Sequence, residues 1–69
     1  MPIEEAIDAL RGAFSRARRR RSLEFIAPEV GIHELTLSNF LVGKNVTTNT
    51  LLMIEDWVVR EAKKEATHA

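Results

Sequence analysis

Two glycines limit what the middle of this chain can form. The stretch IAPEVGIHELTLSNFLVGK runs from Ile26 to Lys44, with Gly31 inside it and Gly43 near its end. Glycine adopts the left-handed backbone conformation that ends a helix sharply, so each one predicts a stop. Ile26 and Val30 before Gly31, and Leu37, Phe40 and Leu41 after it, recur at helical spacing rather than alternating as a strand would. Pro28 constrains the first segment. Past the first turn of a helix, proline removes a hydrogen bond and clashes with the carbonyl four residues back, here that of Glu24. A start near Glu24 or Phe25 keeps Pro28 within the first turn, where an N–H has no helical partner to lose. The expectation is a short second helix, or one bent at its start, that ends at Gly31. A tight turn follows, with Ile32 apolar and His33 as a weak cap, and then a short helix over ELTLSNFLV closed by Gly43. Ala27 is small enough for the two helices to cross closely.

Longer helices flank this pair. Ile3, Ile7, Leu10 and Phe14 recur at helical spacing, with Ala6, Ala13 and Ala17 beside them. Pro2 suits a first turn, so helix one is expected over about residues 2–21. Gly12 inside it costs up to about 1 kcal/mol relative to alanine. Leu51, Leu52, Ile54, Trp57, Val58 and Ala62 form a broad stripe, and TTNT before it supplies capping residues for a last helix over about 49–65. No stretch alternates for long enough to be a strand, and there is no repeat or low-complexity linker. The fold class is therefore all-α: one domain over residues 1–69, with four or five helices and the central pair over about 23–42.

At 69 residues the chain is near the lower limit for a single hydrophobic core, and so small a core often needs a second copy of itself. It has no cysteine, which removes disulfides and thiolate zinc sites. No apolar run approaches the roughly 20 residues of a membrane span, and the acidic start MPIEEAIDAL is unlike a secretory signal. A soluble cytoplasmic protein is expected. The formal net charge is zero, yet Arg11, Arg16, Arg18, Arg19, Arg20 and Arg21 fall in a stretch without acids. Such a run is either a solvated helix end, where cations offset the macrodipole, or a local anion-binding patch.

Catalytic chemistry finds little support. His33 and His68 are the only histidines, too few for a metal site with the carboxylates near them. Glu24, Glu29 and Glu34 are spaced five apart, which spreads them round a helix. No serine sits in a nucleophile elbow and no glycine-rich phosphate loop occurs. The expectation is no enzyme, no metal, no cofactor and no small-molecule ligand.

Two short helices joined by a glycine-containing turn are a helix-turn-helix. In this arrangement the second helix presents Glu34, Leu35, Ser38 and Asn39 outward. Ala27, Gly31, Ile32, Leu37, Phe40 and the tripeptide Val42–Gly43–Lys44 follow the spacing of the motif in helix-turn-helix DNA-binding proteins. The chain most resembles the phage Cro and repressor type, with TLSNFL similar to the family's recognition helix. The motif covers about a third of the chain and the helix layout extends the likeness to nearly all of it. The small phage-type proteins are therefore expected to fit better than the tetracycline-repressor-like and lactose-repressor-like proteins, which carry large ligand domains.

The resemblance implies binding to double-stranded DNA. Glu34, Leu35, Ser38 and Asn39 would meet base edges. Arg16, Arg18, Arg19, Arg20, Arg21, His33, Thr36, Lys44 and Asn45 would lie along the backbone. It implies a repressor on a pseudo-palindromic operator, encoded by a bacterium or phage and nucleoid-associated when bound. The stripe of the last helix is wider than one core needs. Met53, Trp57 and Val59 are therefore expected partly outside, as the interface of a homodimer. The open alternative is a protein-interaction module, or an architectural or recombination-directionality factor, using the same helices.

Overall fold

The computed structural model describes residues 3–68, apart from the side chains of residues 67 and 68. Four helices follow in order: α1 (Ile3–Arg18), α2 (Leu23–Val30), α3 (Glu34–Leu41) and α4 (Thr48–His68). The described residues contain no strand, so the fold is all-α, within a body of 34 × 29 × 19 Å. Pro2 lies outside the described residues. Among the described residues no helix is long and apolar enough to cross a membrane.

Each helix end has a local cause, and several differ from expectation. Helix α1 stops at Arg18 rather than near residue 21 because Arg19 turns left-handed (φ 58°). The Arg21 side chain then folds back to donate to the Ala17 carbonyl at 2.7 Å and the Arg18 carbonyl at 3.2 Å. These groups have no partner within a helix that ends there. Helix α2 begins at Leu23, not Glu24 or Phe25, so Pro28 stands past the first turn. Pro28 and Glu24 are both exposed, so the carbonyl that loses its donor is on the side facing water. Helix α4 extends beyond the expected 49–65 at both ends. Its start is fixed by Thr47, whose Oγ1 accepts from the Thr50 N–H at 3.2 Å, a side-chain N-cap.

The two glycines act as expected. Gly31 ends α2 at φ 92°, and its own N–H and that of Ile32 both donate to the Ala27 carbonyl, at 2.9 and 3.1 Å. Gly43, at φ 90°, closes α3: the Lys44 N–H bonds the Asn39 carbonyl and the Gly43 N–H the Phe40 carbonyl, the paired pattern of a Schellman motif. Between α2 and α3 only residues 31–33 intervene.

The core joins all four helices: Phe14 from α1, Ile26, Ala27 and Val30 from α2, Leu37 and Phe40 from α3, Ile54 and Trp57 from α4. Phe14 is at its centre, edge-on to Phe40 at 6.2 Å and tilted against Trp57 at 5.2 Å between ring centroids. Burying aromatic rings in such pairs contributes area and about 0.5–1.5 kcal/mol each beyond it. Ala27 is buried, as expected for a close crossing. Ile3, at the very start of α1, is exposed and does not join the core.

Candidate nucleic-acid interface

The surface of α3 is set by which side it buries. Leu37 and Phe40 point into the core, and 3.6 residues per turn place Leu35 and Val42 opposite them. Leu35 is 63% and Val42 68% exposed. Ser38 and Asn39 flank these two, half-buried, with Glu34 exposed at the helix start. The four expected base-reading residues thus share one face. Val42 is a fifth member that sequence reasoning left within the closing tripeptide. Its signal was its position seven residues, or two helical turns, after Leu35.

The ends of α3 carry polar groups of their own. His33 is a working N-cap: its Nδ1 accepts from the Leu35 N–H at 3.1 Å. Accepting at Nδ1 leaves Nε2 as the donor of this ring, on an exposed side chain. Past the other end, Lys44 and Asn45 are exposed in the loop before α4. Thr36 is half-buried on α3.

Arg11, which sequence reasoning did not single out for α3, ties that helix to α1. Its Nε donates to the Phe40 carbonyl at 2.9 Å, its guanidinium lies 5.3 Å from the Phe40 ring centroid, and Asp8 pairs with it. A cation on a carbonyl of the last turn suits the negative end of a helix. Nothing local in the sequence marks this contact, because 29 positions separate the partners. The same residues border an open cleft of about 370 Å³ between α1, α3 and the α3–α4 loop.

The arginine run divides. Arg21 is a structural residue. Besides its two carbonyl bonds it pairs with Glu61 at 3.1 Å and lies 5.5 Å from the Trp57 ring centroid. Arg19 pairs with Glu65, both well exposed, and Arg18 Nε donates to the Arg21 carbonyl at 2.7 Å. Arg16 and Arg20 are exposed and make no bond or ion pair among the described residues. Of the five arginines expected along a phosphate backbone, these two and Arg19 have guanidinium groups most open to an external anion.

The expected dimer surface needs correction. Trp57 is only 1% exposed, with its ring against Phe14 and its Nε1–H donated to Glu29 Oε1 at 3.5 Å. It is a core residue and cannot serve as an exposed anchor. Met53 is half-buried, with its Cε at the turn, 3.0 Å from where a Cβ on Gly31 would stand. Val59 alone of the three is exposed. The apolar stripe is wide because α4 covers both α1 and α2, which the sequence periodicity could not reveal. No group of histidine, cysteine, aspartate or glutamate among the described residues is arranged to hold a metal ion.

No protein-family model, no curated protein and no solved structure matches this chain.

Proposed function

We propose that the protein is a sequence-specific DNA-binding regulator, with α2 and α3 forming a helix-turn-helix of the phage Cro and repressor type. The observation that carries this reading is the α2–α3 unit. Two eight-residue helices, with Ala27 buried, pack together around a three-residue turn opened by left-handed Gly31, and the face of α3 opposite the core is left uncovered. In this reading α3 enters the major groove. Asn39 pairs with adenine N6 and N7, Ser38 bonds a neighbouring base, and Leu35 and Val42 meet thymine methyl groups. Glu34 accepts from cytosine N4. His33 Nε2–H, Lys44 and the exposed arginines of the α1–α2 corner hold the phosphates that set register. Regulation would follow from occlusion of polymerase at a pseudo-palindromic operator bound by two copies.

Binding of the purified chain to duplexes from the DNA flanking its own gene, measured by fluorescence anisotropy at several salt concentrations, tests this. Saturable binding that weakens with salt and discriminates against random duplex is expected. No binding at 50 mM salt overturns it. Within that assay Asn39→Ala should cost about 1–3 kcal/mol on the preferred site and little on random DNA. Equal losses on both would exclude base reading by Asn39.

A second reading, a protein-interaction module, is favoured by one observation: the centre of the α3 face is apolar, Leu35 and Val42, rather than basic. An amphipathic partner helix would dock there. Leu35→Glu separates the two. It abolishes partner capture in the second reading, whereas in the first it adds phosphate repulsion to every DNA complex.

A further inference from the structure

We infer that two copies of this chain pair through the outer face of α4, antiparallel about a twofold axis near Val59. Leu52 is 58% and Val59 47% exposed, seven residues apart on the side of α4 turned away from Ile54 and Trp57. Ala62 and Ala66 continue the same face toward the C-terminus, both exposed, and small residues allow a second helix to approach closely. Large apolar side chains in line on one helix are surface that association removes from water.

Charge selects a second copy as the occupant. An antiparallel helix centred at Val59 sets Val59 against Val59, Leu52 against Ala66, and residues 55 and 56 at the level of residues 62 and 63. On one flank this brings Asp56, ion-paired at 3.0 Å with Arg60 of its own helix, to the level of Lys63 of the second copy. On the other flank lies a groove between α1 and α4, with Ala13, Ala17 and Ala62 on its walls and Arg16 at its border. Glu55 and Arg16 are both exposed, and neither makes a bond or ion pair among the described residues. The antiparallel register sends Glu55 of each copy to the Arg16 edge of the other. A self-complementary patch of this kind, in which each residue meets its opposite across the axis, is what a closed twofold dimer requires. A parallel twofold pair would set Asp56 of each copy beside Glu55 of the other, and is disfavoured by like-charge contacts. Arg16 would then serve assembly and leave the phosphate-contacting set.

The absence of cysteine allows a direct test on the full chain without DNA. Val59→Cys should cross-link to itself under mild oxidation, because a disulfide needs Cα atoms within about 7 Å. Leu52→Cys alone should not, since fourteen residues of helix put its two copies about 21 Å apart. A mixture of Leu52→Cys and Ala66→Cys should cross-link between the two variants. In sedimentation equilibrium, Glu55→Arg should weaken association about tenfold or more, and adding Arg16→Glu should restore it. Helicity by circular dichroism should stay unchanged in each, since all these positions face solvent. A monomer at every concentration, self-cross-linking of Leu52→Cys, or no rescue by the charge exchange would each overturn the pairing. None of these outcomes bears on whether α3 reads DNA.

Discussion

Arg21 has a different role from the arginines beside it. It closes the end of α1 through two carbonyl bonds, stacks on Trp57 and gives Glu61 its cation. Glu61 is buried, so losing Arg21 leaves a carboxylate with only Lys64 at 3.8 Å. Removing one partner of a buried charged pair costs more than the pair contributes. Arg21→Ala is expected to destabilise the fold by about 1–3 kcal/mol in urea denaturation. Arg20→Ala should stay within about 0.5 kcal/mol of the parent. Equal losses would show that the carbonyl and Trp57 contacts of Arg21 carry no stability. Trp57 belongs to the same argument. Its truncation to alanine empties the space between Phe14 and Glu29 and should cost about 3–5 kcal/mol, enough to unfold much of so small a domain.

At the scale of elements, the α2–turn–α3 unit depends on two left-handed glycines in different surroundings. At Gly31 a Cβ would stand 3.0 Å from Met53 Cε, whereas one at Gly43 would meet no other atom of the described residues within 4 Å beyond its chain neighbours. Both substitutions to alanine carry the backbone penalty of a left-handed non-glycine residue, about 1–2 kcal/mol. Gly31→Ala must also move Met53 and should be the more damaging in a thermal melt. In a domain of this length each 1 kcal/mol lowers Tm by about 4–8 °C. If Gly43→Ala were the worse of the two, the packing of α4 against the turn would not be what holds α3 in place.

For the whole molecule, net charge is a poor guide to the field around it. The chain sums to zero, yet Glu61 and Glu65 of α4 sit against the arginine corner and neutralise part of it. On the proposed reading, fewer phosphates are therefore held than a count of arginines implies. Replacing Arg20 and Lys44 together by alanine should flatten the plot of log K against log salt by about 1.8, at about 0.9 per phosphate contact. Arg21→Ala should leave the slope alone. A slope unmoved by the double variant would mean that these two exposed cations face away from the DNA. Assembly has a signature at the same scale: a dimer that dissociates on unfolding has a Tm that rises with protein concentration.

The features legible in the chain before it folds are the local ones. Helical periodicity, the glycines at 31 and 43, the small Ala27 and the capping threonines point to four or five helices and a tight central turn. Each acts through its own backbone and neighbours within a turn or two. Leu35, Ser38 and Asn39 on one face also follow from spacing alone. Which side of α4 is inside was settled by folding, because that depends on two helices far along the chain packing against it at once. The same packing buried Trp57, which an apolar stripe could not distinguish from an exposed anchor. It also turned Arg21 inward and Arg19 toward Glu65, since a guanidinium reaches whichever carboxylate or free carbonyl folding brings within range. Pro28 is the remaining case. Local rules move it into the first turn of α2, but burial of Ile26, Ala27 and Val30 starts the helix earlier and leaves the lost hydrogen bond on the side facing water.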